Sequence, residues 1–521
     1  MTDLPPLSWL KDRATGVLLH PTSLPGAQGI GVLGDDARAF VDFLEAGRIR
    51  YWQVLPLGLT GYGDSPYQSF SAFAGNPYLI DLLPLLEYGV VQPSDFEILH
   101  NLPRERVDFA SLYRIKWPLL RLIHKNFRAQ KRAYLPNYGL YSDFLETHAH
   151  WLEPFCAYMA LKERFNGAFW GDWPESCRGY DRARDSKYWR ETAQARDAHA
   201  FFQYLFFGQW SFLKRYANER GIEIIGDAPI FVALDSADVW ASPEWFKMSV
   251  PGKPDAVAGV PPDYFSRDGQ LWGNPLYDWK ALKADGYKWW INRLKANFTT
   301  FDVVRLDHFR GFYDYWEIPS GAENARSGEW ADGPRDDFFK AVANALPEAR
   351  IIAEDLGDIH SHVRAFRDRL GLPGMAILQF AFGGAADNLY LPHNLTECSV
   401  IYPGTHDNNT SRGWYEAANA KERDHVRRYF RVSGDDIAWD LIRAACASVS
   451  RLAVIPMQDL FSLDESGRMN VPGTEQGNWQ WRILPAEFDD LAKIAPYLAE
   501  LADLYGRDNL PNTSAQDSAG S

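Results

Sequence analysis

The stretch Val303-Val304-Arg305-Leu306-Asp307-His308-Phe309-Arg310-Gly311-Phe312 decides how the rest of this sequence is read. Two β-branched residues lead into two arginines, an aspartate and a histidine, followed by glycine and aromatics. A buried parallel strand has this appearance when it ends in a polar site. The same residues also fit a strand end whose Asp and Arg form only a structural ion pair.

Seven further stretches have the same form, a short apolar run closed by polar or turn residues. They are 16–24, 51–59, 222–232, 350–356, 375–382, 400–407 and 452–459, with 302–310 as the fourth of eight in chain order. Helical patterns separate most of them, as at 35–46, 287–296, 336–345 and 360–369. Strands that alternate with helices make right-handed crossovers and a parallel sheet. Eight units fit the α/β class as a (β/α)8 TIM barrel, whose functional residues gather at the strand C-termini. A doubly wound open sheet competes, but no glycine-rich GxGxxG turn follows the first strand.

The barrel is expected over 1–60 and 219–505. The segment 61–218 is too long for one crossover and is rich in helical patterns (114–127, 151–164, 198–220), so an inserted helical subdomain is expected there. A smaller insertion is expected at 234–300, where 248–274 is so turn-laden that it reads as a substrate-binding loop rather than helix or strand. The segment 506–521 reads as a polar C-terminal tail, mobile from Arg507 onward.

The charge balance, 54 Lys+Arg against 68 Asp+Glu, argues against a nucleic-acid or anionic-membrane partner. Four scattered cysteines without CxxC or zinc spacing indicate a reducing compartment. Neither a signal peptide nor a membrane-spanning run is visible, so the sequence is read as cytoplasmic. Aromatic residues make up 15% and include 20 Trp, which suits either a large aromatic core or a surface for flat sugar rings.

Three strand ends carry carboxylates: Asp307, Glu354 (in 351–357) and Asp407 (in 404–410). In a barrel they converge on one mouth. Glycoside chemistry needs one ionised carboxylate and one that holds a proton. Arg305, two residues before Asp307, shares its face and is expected to keep it charged. Packing of Glu354 against Ile351–Ala353 is expected to raise its pKa, as suits an acid. His308 and Arg310 fall on the opposite face by strict alternation and are expected to be structural. A metal reading built on His308, His406, Asp307 and Asp407 lacks the HxH or HxxxH spacing that pairs imidazoles, so no metal is expected. His20 and His393 have no evident partner.

The sequence as a whole resembles the 4-α-glucanotransferases of glycoside hydrolase family 77. The resemblance rests on an ordered series: GVLLHPTSLPG at 16–26, YWQVLPLGLTGYGDSPYQSFSAFAGNPYLIDL at 51–82, and IIGDAPIFVALDSADVW at 224–240. GVPPDYFSRDGQLWGNPLYDW at 259–279, RLDHFRGF at 305–312 and AEDLG at 353–357 follow. LQFAF at 378–382, GTHDNNT at 404–410 and NVPGTEQGNWQWR at 470–482 complete it.

The resemblance implies retaining transfer of α-1,4-glucan segments between maltooligosaccharides, with no cofactor. It implies Asp307 as nucleophile, Glu354 as general acid/base and Asp407 as the third carboxylate, holding sugar hydroxyls. Arg305 and His406 match the remaining members of that constellation, and Asp227 a further strand-end position. Tyr67 resembles the ring that stacks on the reacting glucose, or else it is a packed loop tyrosine. Tyr264, Phe265 and Trp272 resemble an aromatic lid over the acceptor side, or else a cluster that holds the insertion together. The roles of Gln270 and Asn274 stay open. The expected partners are maltooligosaccharides and α-glucans, acted on by a monomer. A related α-amylase-like hydrolase and a non-catalytic glucan-binding protein are the alternatives.

Overall fold

The computed structural model describes residues 7–508 except Tyr62, 263–266, Asp358 and Glu475. Eight strands make the central sheet: β1 Ala14–Leu18, β2 Tyr51–Gln53, β3 Glu223–Pro229, β4 Val303–Asp307, β5 Ile351–Ala353, β6 Gly374–Ile377, β7 Ser399–Tyr402 and β8 Leu452–Pro456. All ladders are parallel, and each strand pairs with the next in sequence except β5 with β6, with β8 beside β1. Between β5 and β6 two hydrogen bonds bridge the gap. The Ala353 N–H donates to the Pro373 carbonyl at 2.9 Å, and the Met375 N–H to Asp355 Oδ1 at 2.9 Å. The result is a nearly closed (β/α)8 barrel.

Each of the eight expected strands is present; β5, β7 and β8 end before the polar residues that close their motifs, whereas β3 and β4 carry Asp227, Arg305 and Asp307 within the strand. The apolar run fills both faces of a strand buried between barrel interior and helices, and the polar residues then fall on the loops of one mouth. Of the Trp side chains, Trp52, Trp170, Trp173, Trp210, Trp240 and Trp290 are fully buried, so much of the aromatic content serves the core.

Within 61–218 lie three long helices: α1 Phe109–Ala129, α2 Tyr141–Arg164 and α3 Ala193–Glu219. In α1 the buried Leu112, Leu119, Ile123 and Phe127 recur at helical spacing, and Phe127 meets Phe201 of α3 at 4.6 Å between ring centroids. The 27 residues of α3 span about 40 Å, enough for two tasks. Its first half packs with α1 and α2. Its second half bonds through Trp210 Nε1 to the Thr300 carbonyl (2.9 Å) and through the Tyr216 hydroxyl to Asp42 (2.7 Å). Asp42 lies on helix Asp35–Ala46 and Thr300 on helix Lys288–Thr300. The end of α3 therefore takes the place of the β2–β3 crossover helix.

The segment 248–274 corrects the sequence reading. It contains strands Ala256–Val260 and Gln270–Pro275, which join Asp314–Pro319 and Glu329–Asp332 in an antiparallel sheet. Val257 lies opposite Ile318, and Trp316 opposite Trp330. A two-strand apolar pattern with glycines is hard to read locally, because its pairing partner lies after β4 and is supplied only by folding.

The start of the polar tail is also corrected. Arg507 is fully buried. Its guanidinium donates to the carbonyls of Cys446 (2.7 Å), Ala14 (2.8 Å) and Ser450 (2.9 Å), fastening the chain end to β1 and the β8 approach. A charged residue near a terminus looks solvated in sequence; here unpaired carbonyls at the barrel foot give it a dry binding place. Residues 509–521 lie outside the described residues. Among the described residues no helix is long and apolar enough to cross a membrane.

Candidate active site at the barrel mouth

The strand register brings the site together. Asp227 of β3 lies opposite Arg305 of β4, and Ile352 of β5 lies opposite the same Arg305. Arg305 is buried and forks between two carboxylates, with Nη1 2.6 Å from Asp227 Oδ2 and Nη2 3.0 Å from Asp307 Oδ1. The i, i+2 alternation thus sets Arg305 and Asp307 on one face, as the spacing predicts. Burial pulls the Arg305 pKa down, but Asp227 and Asp307 outweigh it and hold the guanidinium charged. Its Nε also meets the Met375 sulfur at 3.4 Å.

The β4 strand stops at Asp307. His308 has φ 51°, ψ 50°, in the left-handed region, so strand alternation does not extend to it or to Arg310. That turn aims the His308 N–H at Glu354 Oε2 (2.7 Å), while the Leu356 N–H donates to Oε1 (2.9 Å). The imidazole of His308 sits edge-on to Trp272, 4.9 Å between centroids. Arg310 is buried and pairs with Asp314 at 2.7 Å.

Burial pushes the Glu354 pKa up to about 7, and the Asp307 charge adds to this; Arg305 and the two amides pull the other way. The upward direction follows from the charge count. Arg305 is already shared by Asp227 and Asp307, so its pull on Glu354, even with the two amide dipoles, does not offset burial and the neighbouring negative charge. Burial likewise pushes Asp227 up to about 7, against the pull of Arg305 and the Tyr67 hydroxyl.

Asp407 lies beyond the end of β7, on the loop after Tyr402, and is half exposed. It is held from both sides. His406 Nε2 lies 3.4 Å from Oδ2, and Asn470 Nδ2 donates to Oδ1 at 2.6 Å. The Tyr67 hydroxyl donates to Asp227 Oδ2 at 2.8 Å and lies 2.9 Å from His406 Nε2; the two rings are stacked with centroids 5.3 Å apart. Trp479 lies 6.0 Å from each ring. Burial lowers the His406 pKa, which Asp407 partly opposes. His20, at the end of β1, is buried and neutral, its pKa lowered to about 3 by burial and by the charge of His406.

Seven of the expected residues, Asp227, Arg305, Asp307, Glu354, His406, Asp407 and Tyr67, thus form one connected cluster. Among the described residues Trp272 joins it through His308. Tyr264 and Phe265 lie outside the described residues. Of the two open residues, Asn274 donates to the Val232 carbonyl (2.9 Å) and accepts from Gln68 (3.3 Å), while Gln270 accepts from Trp272 Nε1 (3.1 Å). Sequence reasoning missed Asn470, Trp479 and Arg468, whose guanidinium donates to the Asp407 carbonyl at 3.0 Å. For Asn470 and Trp479 the signal was the stretch 470–482, quoted for resemblance but without roles; Arg468 lies just before it and carried none. Among the described residues no group of three or more His, Cys, Asp or Glu side chains is placed to hold a metal ion.

A (β/α)8 barrel with an acidic, arginine-centred cluster at its C-terminal mouth defines the class: a barrel enzyme with the carboxylates that sugar-transfer chemistry uses. Comparison with known proteins narrows it. The profile of the glycoside hydrolase 77 family, described as 4-alpha-glucanotransferase, matches residues 19–487. The 4-alpha-glucanotransferase of Thermus thermophilus is 49% identical over 487 residues, covering 91% of this chain and 95% of that one. That of Streptococcus pneumoniae is 46% identical over 505 residues, covering 96% and 98%. The amylomaltase of Streptococcus agalactiae, solved in complex with acarbose, superposes with a TM-score of 0.89 at 40% identity, over 95% of this chain and 99% of that one. The chain belongs to glycoside hydrolase family 77 and is a glucan-transferring enzyme.

Proposed function

We propose that the residues at this mouth transfer α-1,4-glucan segments between maltooligosaccharides by a retaining double displacement. Asp307 attacks C1 of the donor glucosyl unit while the C1–O4 bond breaks and Glu354 gives its proton to the departing O4. In the second step the acceptor 4-hydroxyl gives its proton to Glu354, its oxygen bonds to C1, and Asp307 leaves. The observation that carries this reading is the fork of Arg305 between Asp227 and Asp307, beside a buried Glu354 gripped by two amides. It supports a nucleophile beside the guanidinium and, next to it, a buried carboxyl group with a raised pKa as the acid.

Asp407, held by Asn470 and His406, is placed to accept from sugar hydroxyls. Tyr67 presents its ring as a wall for the reacting glucose, with its hydroxyl tied inward to Asp227. Trp272 covers the acceptor side. Water is the competing acceptor, so transfer needs acceptor binding to supply orientation and to exclude water. The reading includes a cytoplasmic monomer, in keeping with four free cysteines.

Incubation of the purified protein with maltotriose tests it. Glucose together with oligomers longer than the substrate is expected. A rise of one reducing end per bond cut, without longer products, would mean a hydrolase instead. Excess chelator is expected to leave the activity unchanged, and its loss would reinstate a metal.

A further inference from the structure

Trp330 is 40% exposed, whereas every other tryptophan is buried or partly buried. It sits on strand Glu329–Asp332, an edge of the small antiparallel sheet. An exposed tryptophan on an edge strand is a liability for aggregation that a bound partner would cover. It is also rigid. The guanidinium of Arg310 lies 3.7 Å from its ring centroid, and Arg310 is itself buried and fixed by Asp314 at 2.7 Å. Trp316, its cross-strand partner, packs edge-on at 5.1 Å. Asp332, two residues on and therefore on the same face, is exposed and paired with Arg335 at 2.5 Å.

A flat apolar ring pinned from behind, flanked by an exposed carboxylate and guanidinium, matches the two needs of sugar recognition: a stacking face and planar hydrogen-bonding groups. The place fits a glucan in particular. Arg310 follows Asp307 by three residues, a backbone distance of at most about 11 Å. The strand lies over that same turn, where Gly333 N–H donates to the Tyr313 carbonyl at 2.9 Å. The platform therefore lies beside the turn by which the chain leaves Asp307.

We propose that Trp330 is a stacking platform for the part of an α-1,4-glucan chain that runs beyond the catalytic centre, with Asp332 and Arg335 as its hydroxyl partners. This rests on the reading of Asp307 and Glu354 as the reacting pair, and it adds a preference for longer chains. Because the ring is already immobile, little side-chain entropy is lost when a sugar stacks on it.

The test separates the two readings. In the inactive Asp307→Asn background, calorimetry with maltoheptaose is expected to give a Kd about fivefold weaker when Trp330→Thr is added, from a stacking contribution of order 1 kcal/mol. Trp330→Phe is expected to restore most of it. In the active enzyme, Trp330→Thr should raise KM for amylose by a similar factor, and by less for maltotriose. Threonine suits an exposed strand, and an unchanged melting temperature shows that the fold is intact. An unchanged Kd and an unchanged amylose-to-maltotriose KM ratio overturn the platform while leaving the transfer reaction standing. No maltoheptaose binding with or without Trp330 overturns both.

Discussion

At the residue scale the decisive object is Glu354. Its carboxyl group is buried beside the Asp307 carboxylate, and the nearby Arg305 guanidinium is already shared. A general acid must carry its proton, so kcat/KM is expected to fall as pH rises through about 7, read as the alkaline limb of a pH–rate profile. The sign for stability follows. A folded pKa above the unfolded value means that the folded state holds the proton more tightly. The stabilisation is fully present below about 4.5, declines as pH rises, and is lost above about 7. Glu354→Gln should accordingly melt a few degrees above the parent at pH 8 and differ less at pH 5. The same variant should lose about 10²–10⁴-fold in turnover of maltotriose, yet still react with a glucosyl fluoride, whose leaving group needs no proton. Asp307→Asn should lose both reactions. Loss of fluoride reactivity in Glu354→Gln would remove it from the acid role.

The left-handed conformation of His308 makes a second residue-scale prediction. Valine strongly disfavours φ near +51°, whereas glycine adopts it readily. His308→Val should withdraw the amide from Glu354 Oε2, which favours the carboxylate, and so move the alkaline limb to higher pH with lower kcat. His308→Gly should keep the limb where it is. Equal limbs in both variants would show that the amide does not tune Glu354.

At the scale of elements, Gly226 shows why β3 can lie so near its neighbours. A Cβ there would fall 2.1 Å from Cδ2 of Phe301, the residue that leads from helix Lys288–Thr300 toward β4. Gly226→Ala should therefore destabilise by about 1–3 kcal/mol by overpacking, read as a lowered denaturant midpoint. An unchanged midpoint would mean that the Phe301 ring moves aside freely. The long α3 carries a related lesson. Its apolar spacing announced a helix, but which half faces the inserted helices and which the barrel follows from Trp210 and Tyr216 finding Thr300 and Asp42. The small sheet was illegible for a similar reason. Val257 and Ile318 are 61 positions apart in the sequence, and neither pattern alone specifies a strand.

At the scale of the whole molecule, the barrel is closed by its ends. Arg507 donates to carbonyls from β1, from the residues before β8 and from the end of helix Ile437–Ala447, while Arg13 donates from the other terminus to Ser448 (2.9 Å) and Tyr505 (3.1 Å). Arg507→Ala removes the donor to the buried carbonyls of Ala14 and Ser450, each worth on the order of 1–3 kcal/mol, while Cys446 keeps the Arg13 guanidinium. Its melting temperature should fall clearly, while the KM of any correctly folded fraction stays unchanged. A melting temperature equal to the parent's would show that the bolt is dispensable.

The sequence by itself determined the eight strands, the barrel class and the carboxylate-bearing mouth, because apolar runs, their spacing and the polar residues that follow them are local properties of the chain. The motif series also carried the family. Only the tertiary structure decided that Arg305 serves Asp227 as well as Asp307, that the His308 amide grips Glu354, that Asn470 holds Asp407, and that Arg310 stiffens an exposed Trp330. Each of these joins residues whose meeting depends on strand register, a left-handed turn or loop closure, and hydrogen bonds and charges act over a few ångströms of space whatever the distance along the chain.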